Sequence, residues 1–166
     1  LQVAHKLRIE NQKIQFVLGI ANHVNIEKCK VPSWICIETK NPQKALECAD
    51  LALVASGTST VEAAVFGTPM IIIYKMSPIS WWLSKNMVNV PYAGMVNIIA
   101  GSMIMPEVLQ SEVTVDYIYK MVKGIIYNPE KTTQMKSDLS NVQKLLRSRE
   151  NMKTAAKHIL DMNDNT

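Results

Sequence analysis

The sequence predicts a doubly wound α/β domain, a parallel sheet with helices on both faces, followed by a helical tail. Two observations carry this. Four apolar runs of strand length, at 14–18, 34–37, 51–55 and 70–74, are rich in β-branched or aromatic residues and nearly free of polar ones. Strands covered on both faces read that way, and they belong to parallel sheets. Between and after these runs lie segments of helical spacing bounded by capping residues.

The elements follow in order. Residues 1–9 have helical character, and a chain that opens on Leu1 within a helix predicts a piece of a longer protein. The runs at 14–18 and 34–37 give the first two strands. Asn41-Pro42 places a capping Asn before a Pro at the first helical position, opening a helix that runs through Cys48. The strand at 51–55 enters Ser56-Gly57-Thr58, where another helix begins and runs to the stop signal Gly67-Thr68-Pro69. After the strand at 70–74, Ser77-Pro78 starts a helix to about residue 89, and no strand is predicted beyond 97–100. Val115, Ile118, Val122, Ile125 and Ile126 mark a helix ended by Asn128-Pro129; Met135, Leu139, Val142 and Leu146 mark the next. Met152, Ala155, Ala156, Ile159 and Leu160 mark a last one. The division is therefore a sheet domain at 1–128 and terminal helices at 129–166, which pack on it or return to a further N-terminal domain.

Composition narrows the function classes. With 48% hydrophobic and 19% charged residues among 166, the chain is globular rather than disordered. No run reaches the ~18 apolar residues of a spanning helix, and no signal peptide opens the chain. Eighteen Lys and Arg against fourteen Asp and Glu leave a charge of +4, too mild to call for nucleic acid but suited to phosphate or anionic lipid. Cys29, Cys36 and Cys48 are odd in number and scattered, which predicts a reducing, cytoplasmic setting. His5, His23 and His158 form no His-x-His or HExxH pattern and there is no Cys-x-x-Cys, so no metal site is expected. Neither a P-loop lysine pattern, GxGxxG nor a GxSxG elbow occurs.

Ligands of doubly wound sheets sit at the carboxyl ends of strands, beside helix N-termini. The segment 51–62 is the best candidate. The strand runs into Ser56-Gly57-Thr58; Gly57 lets a ligand approach the backbone, while Thr58, Ser59 and Thr60 offer hydroxyls and unpaired amides for a phosphate. An ordinary strand–helix turn with a Ser/Thr cap reads the same way. Glu62, one turn into the helix, can accept the two hydroxyls of a ribose diol, or can simply favour a helix N-terminus. Further on, Trp81 and Trp82 lie between Lys75 and Lys85. Ile79, Trp82, Leu83 and Met87 share a helical face that suits the core, which leaves Trp81 with Lys75 and Lys85 as the candidate contact with a membrane surface.

Five blocks in register, Ala55–Glu62 as Ala-Ser-Gly-Thr-Ser-Thr-Val-Glu, 67–76 as Gly-Thr-Pro-Met-Ile-Ile-Ile-Tyr-Lys-Met, Trp82-Leu-Ser-Lys85, Val96-Asn-Ile-Ile-Ala-Gly101 and Pro106-Glu-Val-Leu-Gln110, resemble the lipid-A-disaccharide synthases. The resemblance implies the C-terminal, Rossmann-like half of a GT-B glycosyltransferase, with 1–128 as its UDP-sugar-binding domain. Such enzymes transfer 2,3-diacylglucosamine from UDP to 2,3-diacylglucosamine 1-phosphate, forming a β-1,6 linkage without a metal or other cofactor. Ser56, Gly57, Thr58 and Ser59 then match the phosphate-side loop, Glu62 the helix carboxylate, and Asn97 a substrate-binding Asn, although an Asn there also suits a turn. The resemblance further implies a peripheral protein on the cytoplasmic side of a Gram-negative-type inner membrane, with anionic lipid as partner and room for a homodimer. Three departures stand out: Val96 where the family has Pro, Ser102 where Arg is common, and Lys75 in place of a frequent Arg, which removes a bidentate phosphate donor. The catalytic base belongs to the family's N-terminal domain, so none is assigned in this chain. Two other readings stay open: a different UDP-sugar transferase, with a peptidoglycan or glycolipid acceptor, and a nucleotide-binding module without catalysis.

Overall fold

The computed structural model describes residues 1–21, 24, 29–77 and 91–147. The expected helix at 77–89, with Trp81 and Lys85, and the expected last helix at 152–160 lie outside the described residues.

The described elements alternate as predicted. They run α1 (Gln2–Glu10), β1 (Phe16–Gly19), β2 (Ile35–Glu38), α2 (Gln43–Glu47), β3 (Ala52–Ala55), α3 (Thr58–Phe66), β4 (Met70–Tyr74), α4 (Met95–Ala100), β5 (Glu107–Leu109), α5 (Val115–Ile126) and α6 (Pro129–Leu146). All strand pairs are parallel. The ladder is in two pieces: β1 pairs with β2, and β3-β4-β5 form a second sheet with β4 in the middle.

Only part of the expected two-sided burial is present. β4 has it, with Met70, Ile71 and Ile72 fully buried, because it is paired on both edges and covered on both faces. β1 and β3 instead alternate, leaving Val17 and Leu53 exposed at 48% and 44%. Each of them is at the edge of its sheet, and among the described residues α2 meets the second face of β1 only at Gly19, where a Cβ would crowd Pro42 and Ala45.

Two elements correct the sequence expectation. A strand does follow residues 97–100: β5 is three residues long, with only Val108 buried, too short for its alternation to stand out. The α2 cap also differs, since the cap position is Pro42 with no side-chain hydrogen bond and the helix is little more than one turn. The Asn41 amide is instead held by Glu38 Oε1, which accepts from the backbone N–H of Lys40 and Asn41 at 2.9 Å each.

The core lies between β3-β4-β5 and the helices α3, α5 and α6. α5 contributes Ile118, Val122 and Ile125; α6 contributes Met135, Leu139 and Val142. Both begin with side-chain caps: Thr114 accepts from the Tyr117 amide and Asn128 from the Lys131 amide, with Pro129 next in line. α6 is stitched to α3 by Gln143, whose Nε2 donates to the carbonyls of Ala64 and Val65 at 2.9 Å, satisfying the end of that helix. α1 docks on α5 through charge. Lys6 pairs with Asp116, and Glu10 accepts from both Lys123 and Tyr119. The carboxyl of Glu10 lies below its ordinary range chiefly because of the Lys123 hydrogen bond, and that of Asp116 because of Lys6.

Candidate functional site

The carboxyl ends of β3, β4 and β5 form one rim. The ladder aligns Ala55 with Ile73 and Tyr74 with Leu109, so Ser56, Tyr74 and Leu109 reach the rim together. Sheet spacing puts β3 and β5 roughly 10 Å apart along it.

At β3 the chain turns through Gly57 (φ 141°) straight into α3, and no side chain caps that helix. The backbone angle requires glycine. Among the described residues, a Cβ at this position would meet nothing within 4 Å, so they leave the surface beside Gly57 open to a ligand. The first amides of an uncapped helix face outward from its start, with the helix dipole behind them.

The hydroxyls divide into spent and unspent. Ser56 Oγ donates to Ala93 O at 2.6 Å, Ser59 Oγ to Ala55 O at 3.0 Å, and Thr60 Oγ1 to Gly57 O at 2.8 Å. Each hydroxyl has one proton, so these three have no donor left for an anion. Thr58, which is exposed, makes no side-chain hydrogen bond among the described residues. Of the four hydroxyls at this turn, only that of Thr58 is left to donate, a narrower set than the sequence suggested. Glu62 is half-buried one turn further into α3, with no hydrogen-bond or ion-pair partner among the described residues. Lys75 is exposed just past the end of β4, beside the Gly57 turn.

Asn97 is the most enclosed of the expected site residues. It is fully buried, and its amide is committed inward on all sides. Nδ2 donates to Met105 O and Glu107 Oε1 at 2.8 Å each; Oδ1 accepts from the amides of Ile104 and Met105 at 3.1 and 2.9 Å. Two donors and two good acceptor directions are all that a carboxamide has, so in this structure its hydrogen-bonding capacity is taken up within the chain.

Asn97 belongs to a bracket that the sequence reading missed. Glu107 accepts from the amides of Ala93 and Gly94 at 2.8 Å each, besides Asn97, and so anchors the start of α4. Ala93 then presents its carbonyl to Ser56. Gly94 makes this approach possible, because a Cβ there would overlap Ile72 and crowd Glu107 Oε1 at 3.2 Å. A chain of hydrogen bonds thus runs from β5 through the 93–97 segment to the turn after β3. Nothing in a Glu that follows Pro106 distinguishes it from a solvent-facing strand residue, so only its position in the matched block hinted at a role.

Gln110 was also missed. It stands directly after β5, and among the described residues it alone, apart from glycines, has positive φ (49°). Its Oε1 accepts from the Met76 amide at 3.3 Å, while its Nε2 is buried without a partner among the described residues.

Among the described residues no group of three His, Cys, Asp or Glu side chains is placed to hold a metal ion, and no helix is long and apolar enough to cross a membrane.

Residues 2–160 match the family model described as lipid-A-disaccharide synthetase. The chain belongs to that family. Among its relatives, the lipid-A-disaccharide synthase of Dechloromonas aromatica is 34% identical over 141 residues, covering 85% of this chain and 36% of that protein. The one from Solibacter usitatus is 40% identical over 105 residues, covering 63% of this chain and 28% of its own length. That from Persephonella marina is 38% identical over 109 residues, covering 66% and 29%. The chain spans about a third of the relatives it matches. The α/β architecture with parallel strands accords with a Rossmann-like half of a lipid-A-disaccharide synthetase.

Proposed function

We propose that this chain forms the donor-nucleotide half of an inverting glycosyltransferase. The intact enzyme transfers 2,3-diacylglucosamine from UDP to 2,3-diacylglucosamine 1-phosphate in lipid A biosynthesis. The observation that carries this reading is the uncapped start of α3 beside an open Gly57, with an unpartnered Glu62 one turn further in. Family membership narrows the ligand from phosphate in general to a nucleotide sugar.

In this reading the amides at 57–59 and the Thr58 hydroxyl hold the pyrophosphate, Lys75 adds positive charge nearby, and Glu62 accepts the ribose hydroxyls. Ser56 and Ser59 shape the turn instead of donating to the ligand, and Asn97 with Glu107 holds the turn in place. As the sugar leaves UDP, negative charge grows on the pyrophosphate, and fixed amides stabilise it without reorganising. A base on the remainder of the enzyme deprotonates the acceptor hydroxyl. This chain supplies one wall of the cleft, so by itself it turns over no substrate. Both substrates carry acyl chains, which places the enzyme peripherally on the cytoplasmic side of an anionic inner membrane, with Trp81, Lys75 and Lys85 as the local contact.

The ribose assignment is tested by a double-mutant cycle on the full-length protein. Charge-assisted hydrogen bonds contribute about 1.5–3 kcal/mol each before desolvation. Glu62→Gln should therefore weaken UDP roughly ten- to a hundredfold by calorimetry, at ~1.4 kcal/mol per factor of ten. It should weaken 2′,3′-dideoxy-UDP far less, since that ligand has no diol. Equal losses for both ligands would show that Glu62 only shapes the helix.

A further inference from the structure

Two local costs coincide at Gln110. A residue with a side chain is held at φ 49°, in the left-handed region that favours glycine, and its amide Nε2 is buried with nothing to donate to among the described residues. Either cost alone is uncommon in a folded protein, and neither is required by the elements around it. A glycine would accept the backbone angle without strain, and a smaller side chain would leave no orphaned donor. Both costs fall at the carboxyl end of β5, on the same rim as the Gly57 turn, where doubly wound sheets bind ligands. Strain and unmet hydrogen bonds that collect at such a rim are a recognised mark of a functional residue.

The position along the rim indicates which part of a ligand is involved. Gln110 Oε1 reaches across to the Met76 amide, so its carboxamide lies over the turn after β4, beyond Tyr74. The Gln110 backbone is about two strand spacings, roughly 10 Å, from the start of α3, and its carboxamide reaches back over the β4 position between them. A pyrophosphate at Gly57–Ser59 with its ribose toward Glu62 directs the glycosyl group away from α3, along the rim. An uncharged amide N–H is suited to a hydroxyl or amide oxygen of a sugar rather than to the phosphate charge.

We propose that Gln110 is a specificity-determining residue whose Nε2 donates to an acceptor oxygen on the hexosamine of the bound nucleotide sugar. This rests on the nucleotide reading above and adds the sugar contact to it. Nε2 is covered in this structure, and the sugar reaches it as the contact between Oε1 and the Met76 amide is exchanged. The 3.3 Å bond from the Met76 amide is long enough to be exchanged at little cost.

The test uses the full-length protein, two variants and two probes. Gln110→Glu keeps an acceptor for the Met76 amide but removes the donor. Gln110→Gly removes the side chain and relieves the backbone. Calorimetry with UDP and with UDP-N-acetylglucosamine, alongside thermal melting, separates binding from folding. Both variants should bind UDP within about threefold of the parent and lose about tenfold in affinity for UDP-N-acetylglucosamine. Gln110→Gly should melt no lower than the parent, so the loss cannot be a folding defect. Unchanged affinity for the nucleotide sugar in both variants overturns the proposal, as does an equal loss for both probes in step with a lower melting temperature. A parent protein that binds neither probe refutes the nucleotide reading itself, and this inference with it.

Discussion

The two sheets of this chain are built to different standards. Around β3-β4-β5, Met70, Ile71, Ile72, Ala63, Ala64, Val96, Met105 and Val108 are fully buried, and the buried polar side chains there, Thr60 and Asn97, are hydrogen-bonded. Around β1-β2, Ile35 and Ile20 are buried, whereas Val17, Cys36 and Ile37 are exposed. The candidate site lies wholly on the first sheet. A rim that must hold amides at fixed positions needs a packed layer beneath it, because small shifts in positioning are costly to binding and catalysis. The β1-β2 pair carries no residue of the site and is held to the rest by α2 and α1.

Breaking the bracket should have the largest effect. Asn97→Leu leaves the amides of Ile104 and Met105 and the carbonyl of Met105 without partners, inside a core where water cannot replace them. Orphaned buried groups cost about 1–3 kcal/mol each, so denaturant unfolding should report a loss of about 3–5 kcal/mol. A loss under 1 kcal/mol would place Asn97 outside the core's support.

The contrast between the sheets is sharpened by a pair of truncations. Ile72→Ala removes a fully buried side chain from the central strand and should cost about 2–5 kcal/mol. Ile37→Ala, at a position 41% exposed, should cost less than about 1 kcal/mol. Similar values from urea melts would mean that the two sheets share one core.

Much of this arrangement was readable from residue order, and the failures have physical causes. The strands at β1 to β4 and helices α3, α5 and α6 are recovered because each buries a face with its own period or carries its own cap, such as Asn128-Pro129. β5 was missed because three residues hold only one buried position. The turn into α3 was legible from Gly57 between a strand and a helix. The enclosure of Asn97 was not readable because its partners, Ile104, Met105 and Glu107, depend on how the chain doubles back after Gly101. No local pattern distinguishes a saturated buried Asn from one facing a ligand. Gln110 escaped for a similar reason, since its backbone angle and orphaned amide exist only in the fold.

A smaller effect concerns the charged contact between α1 and α5. Glu10 and Asp116 have lowered carboxyl pKa values, so their contribution is present above the ordinary values of 4.5 and 3.8 and is lost as pH falls through the lowered ones. Lys123 is raised above 10.5 by Glu10, so its share is complete at neutral pH and fades only in strong alkali. Thermal melts from pH 7 to pH 3 should fall less in the double variant Glu10→Gln with Asp116→Asn than in the parent. Parallel curves would mean that these exposed pairs contribute nothing measurable.

The central claim is that a nucleotide sugar binds on the rim of the well-packed sheet. Hydrogen exchange of the full-length protein with and without UDP tests it most directly. The claim predicts slowed exchange in peptides covering Gly57–Glu62 and the 74–76 turn, with residues 5–12 and 34–38 unchanged. Protection centred on the concave surface of His5, Arg8, Gln12 and Trp34, with none at Gly57–Glu62, would contradict it.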